Sequence, residues 1–177
     1  GGRLLRLLQG PESDPIFSSG PLGVDAPPSE PPAPAPSVTD RFIALTGAVD
    51  LRGKLPTRAG ESYPRRSLPW INWFVCHHTG TGPARPTVQE VAAYQTGPGS
   101  HLPFPAIAYP LYAGADGTLY VTHDFEVVTW ANGEGSPEII AGVGVFNWRT
   151  LACCFAGDDP TPAQVQTMHR SRAATEV

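Results

Sequence analysis

Two adjacent histidines, His77 and His78, have the clearest capacity for chemistry in this sequence. They follow the apolar residues 73–76 and precede the glycine-rich residues 79–82. Each imidazole brings one hydrogen-bond donor and one acceptor, which need partners once they leave water. Histidine is also the commonest metal ligand and a frequent general base. Because sites in α/β proteins form where strands end, this pair marks the first candidate for a functional site.

Short apolar segments predict the strands that must position the pair. Asp116 and Gly117 form a turn signal between two of these segments, which predicts a hairpin. Cys153 and Cys154 are adjacent on another and should point to opposite faces. The predicted strands cover residues 71–76, 107–112, 119–122 and 151–155.

Two helix starts are predicted from capping patterns. Thr87 is followed three residues later by Glu90, and Thr161 is followed three residues later by Gln164. In a capping box these two side chains satisfy backbone N–H groups of the first helical turn. Strands that alternate with helices predict an α/β domain with a mixed β-sheet flanked by helices.

The first forty residues predict a proline-rich arm or linker instead of a core. Six prolines lie between Pro27 and Pro36, which favours extended polyproline conformation. The folded domain is therefore predicted to cover residues 41–177, beginning near Phe42. Ordering such an arm needs a surface to lie against, so we expect residues 1–40 to contact other proteins in an assembly.

The composition excludes several classes of protein. The chain has 177 residues, is 41% hydrophobic and 16% charged, and carries a net charge of −4. This charge argues against a general binder of nucleic acid or anionic membranes. No apolar run approaches the roughly 20 residues that span a bilayer. Residues 1–8 lack an initiator Met and a long apolar core, so no signal peptide is predicted.

Four ordered motifs resemble the zinc-dependent N-acetylmuramoyl-L-alanine amidases of the type 2 family, with phage lysozyme-like amidases the most similar in style. This family shares a fold with peptidoglycan recognition proteins. The motifs cover about residues 70–172. They are Val-Cys-His-His-Thr at 75–79, the hairpin at 107–120, the Asn-containing loop and strand at 146–157, and Pro-Thr-Pro-Ala-Gln at 160–164.

The resemblance implies hydrolysis of the amide that joins N-acetylmuramic acid to L-alanine in peptidoglycan. A zinc ion with three protein ligands would activate a water molecule. His77 matches the first zinc ligand and Tyr109 the catalytic tyrosine, although Tyr109 could equally be a half-buried strand aromatic. Thr79, Trp130 and Asn147 match positions near the substrate. The implied location is the cell envelope, the extracellular space or a virion.

Departures from the family pattern leave three hypotheses open. Many members have Trp-His-Ala-Gly where this chain has Trp130-Ala131-Asn132-Gly133. The second and third zinc ligands normally follow the last long helix, but the sequence ends at Val177, so the domain is expected to be C-terminally incomplete. The chain could be an amidase completed by further residues, a non-catalytic peptidoglycan binder, or a structural component of a virion-type assembly.

Overall fold

Strands and helices alternate along the chain, as predicted. The structure, a computed structural model, describes residues 34–100, 103–132, 139–140 and 143–176. Within these residues no helix is long and apolar enough to cross a bilayer. In chain order the elements are α1 (Val38–Thr46), β1 (Val49–Asp50), β2 (Trp73–His78), α2 (Val88–Thr96), β3 (Leu111–Ala113), β4 (Leu119–Val121), β5 (Ile139–Ile140), β6 (Val143–Gly144), α3 (Val145–Arg149), β7 (Thr150–Phe155) and α4 (Pro162–Thr175).

A five-stranded mixed sheet with the order β1-β4-β3-β7-β2 lies at the centre of the fold. Strand β7 pairs in parallel with both β2 and β3, whereas β3 and β4 form the antiparallel hairpin that the sequence predicted. All six residues of β7 are buried. This mixed sheet with flanking helices confirms the predicted fold class.

Helices cover both faces of the sheet, and β7 separates the two apolar cores. Cys153 packs with Phe42 of α1 and with side chains of α4 on one face. Cys154 packs with Val88 of α2 and with Tyr112 on the other face. The two cysteines therefore point to opposite faces, as strand alternation requires.

Capping boxes start three of the helices. Thr87 with Glu90 starts α2, and Thr161 with Gln164 starts α4, which confirms both predicted helix starts. The sequence analysis missed α1, where Ser37 accepts from the backbone N–H of Asp40 and the Asp40 carboxylate accepts in return. Helix α1 begins before residue 41, the predicted start of the domain. The predicted arm lies, as far as residue 33, outside the described residues.

The strand that carries the two histidines differs from the prediction in position and in burial. The predicted strand ended at residue 76, but β2 extends to His78, so both histidines lie within it. Its apolar residues also indicate a buried strand, yet Trp73 is 45% exposed. The expectation of burial fails because β2 lies at the edge of the sheet, where, among the described strands, it pairs with β7 alone.

The segment before β3 is buried without being a strand. Residues 107–112 were predicted to form one strand, but β3 begins at Leu111. Ile107 and Ala108 are each 1% exposed. Pro110 lacks the backbone N–H that a ladder needs, which explains the late start of the strand.

Candidate functional site

The structure brings together the predicted zinc ligand and the predicted catalytic tyrosine. His77 pairs in register with Cys154, which in turn pairs with Tyr112, so these three side chains share the face of the sheet that α2 covers. The ring of Tyr109 lies over this end of the sheet, with its centroid 5.8 Å from that of His77. The contact between these two rings forms the centre of the candidate site.

His78 points away from this contact. Its side chain is exposed, its Nδ1 accepts from the backbone N–H of Gly80 at 3.2 Å, and Asp158 lies 3.4 Å away. His78 therefore contacts the loop that follows the strand and does not lie beside the rings of His77 and Tyr109.

Asn132 connects His77 to the rest of the fold. Its Oδ1 lies 2.8 Å from His77 Nε2, and its Nδ2 donates to Thr150 Oγ1. Its backbone N–H donates to Asn147 Oδ1 at 2.8 Å. The sequence analysis noted Asn132 only within a motif that departs from the family pattern and did not predict its contact with His77. The sequence signal for a role at the site was the amide side chain of Asn132, next to Gly133 in that motif.

The buried guanidinium of Arg66 holds the segment that contains Asn147, the residue that binds the backbone of Asn132. Arg66 is 7% exposed and donates to the backbone oxygens of Phe125, Asn147 and Trp148, the shortest of these bonds being 2.6 Å to Asn147. Desolvation lowers the pKa of Arg66 to about 10. Arg66 therefore fixes the C-terminal end of α3, the helix that carries Asn147. Its position in a turn-rich basic stretch gave the sequence analysis no sign of burial.

Tyr109 presents an uncharged phenol to the site. Burial raises its pKa well above the ordinary value, and the Gln95 amide and the Cys154 thiol lie beside its hydroxyl. The Tyr109 backbone oxygen accepts from Thr122 Oγ1. At neutral pH the hydroxyl can therefore donate or accept a hydrogen bond but carries no charge. Its assignment as the catalytic tyrosine stays a prediction.

Two cavities flank the contact between His77 and Tyr109. The first, which we call the α2 groove, has a volume of about 550 Å³. The second has a volume of about 530 Å³ and lies beside the edge strand β2. The α2 groove is lined by residues that include Thr79, Arg85, Glu90, Tyr94, Gln95 and Tyr109. The second cavity is lined by residues that include Trp73, Val75, His77, Asn132, Phe146 and Thr150.

The loop between β2 and α2 is tied to the end of β7. Thr79 Oγ1 accepts from the backbone N–H of Gly157 at 2.9 Å. Arg85 Nη1 donates to the backbone oxygen of Ala156 at 2.8 Å and to Gln164 Oε1 at 3.3 Å. These bonds give the α2 groove a fixed wall. Thr79 lines the groove as expected for a substrate-binding residue, and that role stays a prediction.

The other two residues predicted to bind substrate, Trp130 and Asn147, line neither of these two cavities. Asn147 is 4% exposed and uses its side-chain oxygen to hold Asn132, so it supports the site from behind. Trp130 packs edge to face against Tyr63 and Phe104, with ring centroids 5.3 and 6.0 Å apart. Its Nε1 is buried and has no hydrogen-bond partner among the described residues. Both assignments stay predictions, with a supporting role indicated for Asn147.

The described residues do not fit the predicted zinc site. A catalytic zinc takes three protein ligands. Within the part of the chain that the structure describes, no three His, Cys, Asp or Glu residues are grouped to hold a metal ion. Cys154 lies beside His77 in register, but burial raises the pKa of its thiol to about 12, so it is not a ready thiolate. We therefore assign no step to zinc, and His77 as a zinc ligand stays a prediction from the resemblance.

Comparisons with known proteins give structural but not sequence matches. No family model and no curated protein sequence matches the chain. Peptidoglycan recognition protein LE in complex with tracheal cytotoxin is 19% identical, with a TM-score of 0.54, and the match covers 75% of each chain. Peptidoglycan recognition protein SA of Apis mellifera is 14% identical, with a TM-score of 0.54, over 73% of this chain and 74% of that chain.

A complex of peptidoglycan recognition proteins LCa and LCx with tracheal cytotoxin is also similar. It is 19% identical, with a TM-score of 0.52, over 72% of this chain and 75% of that chain. Identities this low show the fold alone. The chain has the fold of the peptidoglycan recognition proteins, the fold that its resemblance to type 2 amidases predicted.

Proposed function

We propose that the chain binds a peptidoglycan fragment in the α2 groove. The observation that carries this proposal is the position of the groove, whose lining includes Tyr109 in contact with His77. Its volume of about 550 Å³ suits a ligand the size of a muropeptide. Two of the structures with the same fold were solved with tracheal cytotoxin, described as monomeric diaminopimelic acid-type peptidoglycan. These ligands support a peptidoglycan fragment as the occupant here.

The groove lining matches the mixed chemistry of such a fragment, which combines sugar, amide and carboxylate groups. Glu90 is committed to the helix cap, because its Oε2 accepts from the backbone N–H of Thr87 at 2.7 Å. Arg85 is therefore the charge best placed to meet a ligand carboxylate, through the N–H groups that bind neither Ala156 nor Gln164. Tyr94 is 57% exposed and offers an aromatic surface for the apolar parts of the ligand.

Binding is tested by calorimetry with a monomeric diaminopimelic acid-type muropeptide. We expect saturable binding, and we expect Tyr94→Ala to weaken it about tenfold, or about 1.4 kcal/mol. Trp70→Ala is the matched control, because Trp70 is 45% exposed and lies outside the groove lining. Absence of saturable binding, or equal weakening by both variants, would refute the proposal.

Hydrolysis of the N-acetylmuramoyl-L-alanine bond is the second candidate function. The observation that favours it is the contact between His77 and Tyr109, the two residues that match the family's catalytic positions. A zinc hydrolase needs three protein ligands, and the resemblance assigns one of them, His77, among the described residues. Mass spectrometry of the same muropeptide, with added zinc and with a chelator, tests this candidate. Release of the peptide that the chelator abolishes would establish it, and no release leaves binding as the function.

A peptidoglycan ligand also defines where the chain would act. Such a protein works at the cell envelope, either outside the cell or as part of a virion that contacts the wall. The residues that precede α1 would then serve as the arm that attaches the domain to an assembly. This role of the arm is tested by comparing which proteins of the assembly co-purify with the full chain and with a variant that lacks residues 1–33. Loss of these proteins from the shortened variant is the expected result.

A further inference from the structure

The side-chain amide of Asn132 lies between His77 and Thr150, and the direction of each hydrogen bond can be deduced. Thr150 Oγ1 lies 2.8 Å from the backbone oxygen of Phe146, which can only accept. The Thr150 hydroxyl has one hydrogen and must donate it there. Its contact with the Asn132 amide is therefore made through a lone pair, so the amide group that faces Thr150 is Nδ2.

This orientation determines which nitrogen of His77 carries the proton. With Nδ2 directed at Thr150, Asn132 Oδ1 faces His77 Nε2 at 2.8 Å. An amide oxygen only accepts, so Nε2 must donate. A neutral imidazole has one N–H, and the lone pair is therefore left on Nδ1. The assignment follows from the hydrogen-bond network, which is the proper basis for amide and imidazole orientations.

We propose that Asn132 is a positioning residue that holds His77 as the Nε2–H tautomer and makes Nδ1 the atom that accepts from a ligand N–H or O–H group. Among the described residues, none donates to His77 Nδ1. A ligand amide N–H or hydroxyl satisfies this lone pair, whereas an ether or carbonyl oxygen placed there would repel it. The ligand part of the inference rests on the proposed function, but the tautomer is a property of the free protein.

The backbone of Asn132 is held independently of its amide. Its N–H donates to Asn147 Oδ1 at 2.8 Å, and the Asn147 backbone oxygen accepts from the buried Arg66 at 2.6 Å. A change at Thr150 can therefore release the Asn132 amide without releasing the segment that carries it. This separation makes Thr150 the best position for a test.

The test is two-bond hydrogen–nitrogen correlation NMR on the free protein labelled with ¹⁵N-histidine, at a pH of about 8 where an ordinary histidine is neutral. Protonated and unprotonated ring nitrogens resonate far apart, so the two tautomers are distinguished directly. We expect His77 to be wholly Nε2–H in the wild type. Thr150→Val removes the hydroxyl that holds Asn132 Nδ2, so the amide can rotate and present Nδ2 to His77 Nε2. The Nδ1–H tautomer of His77 should then emerge at a population of roughly one tenth or more, because the single hydrogen bond that held the amide contributes little net free energy.

Thr46→Val is the matched control. Thr46 Oγ1 donates to the backbone oxygen of Phe42 at 2.8 Å, with the same four-residue spacing as in Thr150, but it lies in α1 away from Asn132. His123 is the internal reference, because its Nε2 lies 2.8 Å from the backbone oxygen of Ile107 and must donate in every variant. Only the His77 signals, and only in Thr150→Val, should change.

Different results overturn different parts of the inference. An Nδ1–H signal from His77 in the wild type, or an unchanged tautomer in a folded Thr150→Val protein, would overturn the role of Asn132. Saturating muropeptide should shift the Nδ1 resonance, and bound ligand without such a shift would overturn Nδ1 as the acceptor. Failure of the muropeptide to bind refutes the proposed function and leaves the tautomer assignment to be decided by the free protein.

Discussion

Gln164 offers the most demanding test of how the groove wall is held. It is 0% exposed, and its Nε2 donates to the backbone oxygens of Ala113 at 3.2 Å and Ala156 at 3.1 Å. Its Oε1 accepts from the backbone N–H of Thr161 at 2.8 Å and from Arg85 at 3.3 Å. One side chain thus joins α4 to β3, to β7 and to the loop that lines the α2 groove.

The loss of unfolding free energy expected for Gln164→Met depends on which of the hydrogen-bond partners of Gln164 keep another bond. The Ala113 oxygen still accepts from the backbone N–H of Ala156, and the Ala156 oxygen still accepts from Arg85. Neither carbonyl is left without a donor, and the Thr161 N–H, which loses its acceptor, lies in a partly exposed residue that water can reach. The penalty is therefore four net hydrogen bonds of about 1 kcal/mol each, without the larger cost of an orphaned group. We expect the free energy of unfolding to fall by about 3 to 4 kcal/mol.

Urea denaturation followed by circular dichroism measures this change, and an unchanged slope would show that the unfolded state is the same. Gln166→Met is the matched control, since Gln166 is exposed on the same helix, and should change stability by less than about 0.5 kcal/mol. Equal effects of the two substitutions would refute the assignment of Gln164 as the joint between α4 and the groove wall. We also expect Gln164→Met to weaken muropeptide binding, because Arg85 loses one of its two anchors.

Three further predictions concern the frame around the site. Arg66→Met should lower the free energy of unfolding, measured by urea denaturation, by about 3 kcal/mol, because three backbone oxygens lose a charged donor. The control Arg65→Met should have little effect, because the Arg65 side chain is 63% exposed. Hydrogen bonds from Arg52, the largest cause, and from Ser37 lower the pKa of Asp40 from 3.8 to about 2. The stability that Asp40 gains from these partners is present above pH 3.8 and is lost as the pH falls toward 2. Thermal melts of Arg52→Met should therefore show a weaker pH dependence over that range. Phe42→Ala should cost about 3 to 5 kcal/mol in urea, since Phe42 is 2% exposed and packs against the core, and a loss below about 1 kcal/mol would contradict its place there.

Local patterns were enough to predict much of the fold. The capping boxes at Thr87 and Thr161 located two helices, because their signal lies within four residues. Helix α1 carries a similar signal at Ser37, but it directly follows the proline-rich stretch, a composition that predicts an extended arm and not a helix. The place of β2 at the sheet edge could not be predicted, because apolar runs look alike in edge and central strands until the pairing order is known.

The candidate site was predictable only where the family pattern supplied it. His77 and Tyr109 were placed together by the resemblance, and the structure brings their rings into contact. Asn132 and Arg66 were missed because each acts through a partner far along the chain. The separations are 55 residues from Asn132 to His77 and 81 residues from Arg66 to Asn147. No local pattern reports such a contact.

The position of β7 between β2 and β3 has a consequence for how the chain folds. Its parallel pairing with β2 joins Trp73 to Thr150, a separation of 150 − 73 = 77 residues. Contacts this distant in sequence require the closure of a long loop, so we expect sheet formation to be slow for a domain of this size. During synthesis β2 and β3 leave the ribosome well before β7. Until β7 is made, their unpaired edges are open to mispairing.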